Sequence, residues 1–203
     1  MNAIIPLLLA TAVSTAAAQR LPDPPPMTDD TLPSATVEEG ALRLTAQFGF
    51  DAGKRELRLR YLLHNGSRQA VAMFDRGNSL AVAQGRLKAA TPAAPTTEQD
   101  KDGLTLLHRA VPLRKPAPTV PPVPLAARVA AGAELGGDVL VDVGDAARLR
   151  YCLGVAPFDK ELFSSRQKID GVELWRASFE VVGKQKMLCT PWFDTAKREF
   201  EAK

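Results

Sequence analysis

The sequence is poor in the residues that carry most enzymatic chemistry. Its 203 residues include two histidines, His64 and His108, and two cysteines, Cys152 and Cys189. They contain no Cys-x-x-Cys pair, no Gly-x-Ser-x-Gly elbow and no glycine-rich phosphate loop. A metal site needs three or four ligands, and no further ligand stands at metal-binding spacing from either histidine. We therefore expect no catalytic motif, no metal and no cofactor, and we interpret both histidines as solvated or at the edge of the core.

Long hydrophobic runs are also missing. The apolar stretch from Ala3 to Val13 is shorter than the roughly 20 residues that a membrane-spanning helix needs, and small residues follow it up to Ala18. This pattern is typical of a cleaved signal peptide at residues 1–18, and we predict cleavage after Ala18. The alternative is an uncleaved membrane anchor. The alanine-, arginine- and proline-rich composition indicates a bacterial source, so we expect the protein in the periplasm or secreted, with no transmembrane segment in the mature chain.

Charge of one sign is only slightly in excess. The chain has 26 Lys and Arg against 23 Asp and Glu, a formal net charge of +3. Nucleic-acid-binding proteins usually cluster their basic residues beside aromatic platforms, so we expect no nucleic-acid partner. The length that remains after cleavage is typical of one domain. We assign residues 19–37 to a proline-rich disordered lead-in, residues 38–192 to the domain and residues 193–203 to a C-terminal tail.

Alternating apolar and polar residues predict strands along the domain. In "ALRLTAQFGF" and "ELRLRYLL" every second residue is apolar, which is the period of a half-buried strand. Setting Asp51 against Glu56 leaves a hairpin loop and places Phe48 opposite Leu59, so that both apolar rows share one face. Further strands are predicted at 70–74, 79–83, 104–111, 138–143, 147–155, 174–182 and 185–192.

Many short strands without long helices between them predict an all-β sandwich or barrel. The region from Glu38 to Trp192 resembles a single-domain, antiparallel β-sandwich of the immunoglobulin-like or fibronectin-like kind. It is also similar to uncharacterised secreted or periplasmic bacterial proteins built on that fold. The resemblance implies a fold class and no function.

The two cysteines, Cys152 and Cys189, lie on predicted strands and would emerge into an oxidising compartment. We therefore predict a disulfide between them. Closing a loop of this length would constrain the unfolded chain by about 4 kcal/mol. Two buried free thiols are one alternative. A catalytic thiol is another, although no neighbouring cysteine, histidine or lysine is placed to lower a thiol pKa.

The run "PLRKPAPTVPPVPL", residues 112–125, is rich in proline. Such a segment could dock in an aromatic groove as a polyproline II helix. We favour a stiff connection that crosses from one sheet to the other, in which the prolines deny an exposed edge to other strands.

A candidate binding patch consists of Arg43, Arg58 and Arg60, which the hairpin register places on its outer face with no facing carboxylate. Such a patch would attract an anionic envelope polymer or another envelope protein; the alternative is an ordinary solvated face. We predict a non-enzymatic binding or accessory module of the cell envelope. Two alternatives stay open: an enzyme whose site is assembled from scattered polar residues, and a structural or inhibitor protein that acts by β-strand addition.

Overall fold

The computed structural model describes residues 31–202 and shows an all-β protein with two sheets. The predicted signal peptide and most of the predicted lead-in lie outside the described residues. The first sheet has the order β1–β2–β3–β8, and its strands are β1 (Ser34–Glu39), β2 (Leu42–Asp51), β3 (Glu56–Asn65) and β8 (Glu134–Asp142).

The second sheet is larger and curls into a half-barrel. Its strands are β4 (Val71–Met73), β5 (Thr96–Gln99), β6 (Leu104–His108), β7 (Leu125–Val129), β9 (Arg148–Pro157), β10 (Phe163–Ile169), β11 (Val172–Ala177), β12 (Lys186–Cys189), β13 (Phe193–Asp194) and β14 (Glu199–Phe200). Strand β9 is its centre, since it pairs with β4, β6, β12 and β13. The pairing of β6 with β9 is parallel.

The β2–β3 hairpin has the predicted register. Asp51 pairs with Glu56, and Phe48 pairs with Leu59. The apolar rows face inward and are buried against the second sheet, where Leu59 and Phe48 share a core cluster with Leu149. The alternation fixes this register because a slip of one residue would turn every apolar side chain toward solvent.

The segment 79–83, predicted as a strand, is instead the short helix α1 (Ser79–Ala83). Asn78 caps it, since its side chain accepts a hydrogen bond from the Ala81 N–H at 2.9 Å. The predicted strand 174–182 is likewise divided: β11 ends at Ala177, and a 3₁₀ helix (Phe179–Gly183) follows the capping residue Ser178.

The folded region extends past residues 38–192 at both ends. Strand β1 begins at Ser34, within the predicted lead-in. Strands β13 and β14 lie in the predicted tail, where Phe193 is buried and Phe200 packs at 4.8 Å from the Phe48 ring. The terminal strands were missed because they are very short or carry little apolar alternation.

The predicted disulfide between Cys152 and Cys189 is confirmed. The two residues lie directly opposite each other on the paired strands β9 and β12. Within residues 31–202, no helix is long and apolar enough to cross a membrane.

Candidate binding cleft

Five polar side chains meet between the two sheets, and the sequence analysis did not anticipate them. They are Tyr61 on β3, Asp75 and Arg76 after β4, His108 on β6, and Tyr151 on β9. Asp75 is 0% exposed and Arg76 is 2% exposed. Because a charge is buried at high cost unless it is paired, this group must be held together by specific contacts.

The Asp75 carboxylate is the centre of the group. Its Oδ2 accepts a hydrogen bond from the Tyr61 hydroxyl at 2.7 Å and is ion-paired with the Arg76 guanidinium. The guanidinium also donates to the Gly136 carbonyl oxygen at 3.3 Å. Since Tyr61 belongs to β3 and Gly136 to β8, these contacts join the loop after β4 to a central strand and an edge strand of the first sheet.

His108 forms the other half of the group. Its Nε2 lies 2.8 Å from the Ala93 carbonyl oxygen, and its Nδ1 lies 2.8 Å from the Tyr151 hydroxyl. A carbonyl oxygen only accepts, so Nε2 carries the proton and Nδ1 accepts from the hydroxyl. Burial lowers the pKa of His108 below its ordinary value of about 6.5, and the imidazole is neutral at pH 7. His108 is 3% exposed, so the interpretation of it as solvated is wrong; it lies at the edge of the core, where it lines a cleft.

The two tyrosines remain protonated at neutral pH. Burial, reinforced by the Asp75 carboxylate, raises the pKa of Tyr61 and of Tyr151 well above the ordinary value of about 10. The two rings lie 5.1 Å apart between centroids. The group is thus a set of neutral side chains around one ion pair, and it links the two sheets.

A cleft of about 490 Å³ opens beside this group. Phe74 and Gly77, which flank the buried Asp75 and Arg76, line it together with His108. Most of the remaining wall is apolar and includes Leu80, Leu107, Val111, Pro118, Val120 and Pro122. Residues 31–202 expose three large aliphatic side chains; two of them, Val111 at 46% and Val120 at 58%, lie in this cleft.

The proline-rich run forms the outer wall of the cleft. It connects β6 to β7 within the second sheet, so the predicted crossing between sheets is wrong. At its start, the Gln185 side chain pairs with both backbone groups of Ala110, at 3.0 and 2.8 Å. At its end, the Ser79 N–H donates to the Val123 carbonyl oxygen at 2.8 Å. Because proline has no N–H, much of the run between these anchors cannot pair with a strand of the sheet. The run lies outside the sheet and lines the cleft instead.

The charged residues that line the cleft are both cations, Arg109 and Arg114, and no carboxylate lines it. Arg109 is ion-paired with Glu98, which lies outside the lining. Arg114 forms no ion pair with any residue in the described part of the chain. The rim of the cleft is therefore positive and its wall is mainly apolar.

The predicted patch, Arg43, Arg58 and Arg60, lies on the outer face of the first sheet, away from the cleft. The expectation that no carboxylate faces these arginines is wrong. Asp138 on β8 accepts from Arg58 at 3.0 Å and from Arg60 at 3.1 Å, and Glu38 on β1 accepts from Arg43 at 2.7 Å. Burial alone would raise the pKa of Asp138, but the hydrogen bonds from the two arginines outweigh it and lower that pKa. The patch stays a prediction as a binding surface, with much of its charge locally neutralised.

Two signals in the sequence point to the cleft in retrospect. "FDRGN" places Asp75 and Arg76 directly after an apolar run and before a glycine, which is unusual for solvated charges. Tyr61 and Tyr151 occupy inward positions on their strands, where a hydroxyl needs a buried partner. Neither signal reveals which strands meet.

Fold and site together define an all-β protein of two sheets with an apolar, cationic-rimmed cleft against a buried polar group. Among residues 31–202, no three His, Cys, Asp or Glu side chains are grouped so as to hold a metal ion. Comparison of the chain with models of known families, with curated proteins and with solved structures finds no match.

Proposed function

We propose that the protein is a non-enzymatic binding module of the cell envelope, and that it holds a small, mainly apolar ligand in the cleft. The observation that carries this proposal is the cleft itself. Its volume of about 490 Å³ falls in the range of small-molecule sites. Exposed aliphatic side chains such as Val120 lose contact with water when a ligand covers them, and this burial drives binding.

The buried polar group favours binding over catalysis. Both ring nitrogens of His108 already have partners in the protein, and the tyrosines hold their protons. A general base needs a free position that can reach a proton of the substrate. The group instead serves as a rigid support, because its ion pair and hydrogen bonds hold the wall of the site in one arrangement.

We propose the periplasm or the medium as the location, with residues 1–18 removed. The confirmed disulfide supports an oxidising compartment. For the fold, we propose an immunoglobulin-like or fibronectin-like sandwich. The antiparallel first sheet facing a second sheet supports this, and the parallel β6–β9 pair is a departure from that arrangement. The intact mass of the exported protein tests the location: we expect a chain that begins at Gln19, and retention of residues 1–18 in the membrane fraction would contradict it.

The binding function is tested with N-phenyl-1-naphthylamine, an uncharged apolar dye whose fluorescence rises when it leaves water. We expect saturable binding of one equivalent to the mature protein. Val120→Asp should weaken binding at least tenfold, because it places a carboxylate on the apolar wall.

The matched control is Leu140→Asp, since Leu140 is also an exposed aliphatic residue but lies on β8, outside the cleft lining. It should bind the dye as the unsubstituted protein does. Absence of saturable binding, or equal loss in both variants, would refute the cleft as the site.

A further inference from the structure

The charge around the cleft selects among apolar ligands. Arg114 stands on the rim without an ion pair among residues 31–202, and Lys115 follows it in sequence. No carboxylate shares the lining with Arg114. An anion near Arg114 would therefore meet a cation that no carboxylate of the lining already occupies.

Arg109 is the second cation of the lining. One of its terminal nitrogens pairs with Glu98, and its side chain is 33% exposed. Because a guanidinium carries five N–H donors, Arg109 can donate to an acceptor in the cleft while it pairs with Glu98. Arg109 and Arg114 line the same cavity, so a ligand that fills it meets both.

The inner wall does not oppose an anion. His108 is neutral there, and the Asp75 carboxylate behind it is compensated by the Arg76 guanidinium. The cleft thus offers a ligand two kinds of surface. Aliphatic and proline side chains form the wall, and guanidinium groups stand at the rim.

We infer that the ligand of the cleft is a small amphipathic molecule with a single anionic group. Its apolar body packs against Leu107, Val111 and Val120, and its carboxylate or sulfonate contacts the guanidinium groups of Arg109 and Arg114. This inference rests on the proposed binding function and adds the chemical class of the ligand.

The test compares two dyes with the same aromatic body. N-phenyl-1-naphthylamine is uncharged, and 1-anilinonaphthalene-8-sulfonate carries one sulfonate. We expect the mature protein to bind the sulfonate about threefold to tenfold more tightly, the range for one or two partly exposed ion pairs. Raising the salt concentration should reduce this preference, because exposed charges are screened.

Substitutions separate the effect of the positive charge on binding from the effect of the apolar cleft. Arg114→Gln should remove most of the preference for the sulfonate, measured as the ratio of the affinities for the two dyes. Arg68→Gln is the matched control, since Arg68 is exposed, lies outside the cleft lining and has no ion pair with residues 31–202. It should leave both affinities unchanged.

The outcomes distinguish this inference from the function on which it rests. Equal affinity for both dyes, or a preference that persists in Arg114→Gln, would overturn the inference while the binding function stands. Failure of both dyes to bind would remove the proposed function as well. Sulfonate binding that emerges only after deletion of residues 19–30 would overturn the small-molecule ligand, because the acidic lead-in of the chain would then be the occupant.

Discussion

Replacing Arg76 by methionine should destabilise the protein severely. The substitution keeps an unbranched side chain of similar length but removes the partner of the Asp75 carboxylate, which is 0% exposed. Only the Tyr61 hydroxyl would remain as a side-chain donor to that carboxylate, and its Oδ1 already has no partner within residues 31–202. Breaking a buried ion pair in this way costs about 3–5 kcal/mol.

For a domain of this size, each kcal/mol shifts Tm by about 2–4 °C. Arg76→Met should therefore lower Tm by about 6–20 °C. The assay is urea and thermal unfolding of the mature protein with its disulfide intact. The double variant Asp75→Asn/Arg76→Met removes both charges and keeps an acceptor for Tyr61, so it should be more stable than Arg76→Met alone.

The matched control is Arg114→Met, which removes an exposed guanidinium and should change stability by no more than about 0.5 kcal/mol. The reasoning would be refuted by an Arg76→Met variant within 1 kcal/mol of the unsubstituted protein, a limit on the order of ordinary surface effects. A double variant less stable than Arg76→Met would also contradict it, because Asp75→Asn removes the unpaired buried charge and should restore part of the lost stability.

Three further predictions concern other parts of the protein. Cys152→Ser should lower the free energy of unfolding by up to about 4 kcal/mol, measured as a Tm shift, and labelling of both thiols in the native protein would contradict the disulfide. The pKa of His108 is lower in the folded state than in the unfolded state, so the unfolded state takes up a proton at a higher pH. The neutral, buried His108 therefore contributes its full stability above about pH 6.5, and this contribution is lost as the pH falls below that value. The urea midpoint should therefore drop with pH in this window, and less steeply in His108→Gln; an equal slope would argue against His108 as the cause. Replacing Arg43, Arg58 and Arg60 together by Gln should leave the fold intact and abolish salt-sensitive binding to an envelope extract, and the patch is discarded if binding at low salt is unchanged.

The sequence predicts the β2–β3 hairpin to the residue because neighbouring residues of the chain determine both its faces and its register. Alternation sets the faces, and the length of the loop between Asp51 and Glu56 sets the register. The segment 79–83 is different, because five small and apolar residues fit a strand or a helix equally well. The side chain of Asn78, outside the segment, decides in favour of the helix.

The cleft depends on contacts between distant parts of the chain. Its buried group needs β6 to run parallel to β9 and β8 to lie beside β3, and no local pattern encodes either neighbour. The same long-range pairing explains the missed partner of Arg58 and Arg60, since Asp138 reaches them only because β8 borders β3. The disulfide was accessible from sequence because two cysteines allow a single pairing.

The glycine pair of β8 has a consequence for evolution. The Tyr61 backbone and hydroxyl occupy the space that a Cβ at Gly136 or Gly137 would need. Any side chain at these positions would displace Tyr61, and with it the donor to Asp75. These glycines, the tyrosine and the Asp75–Arg76 pair should therefore be inherited or lost together. A search for these residues together could identify distant relatives whose overall sequence similarity to this chain is low.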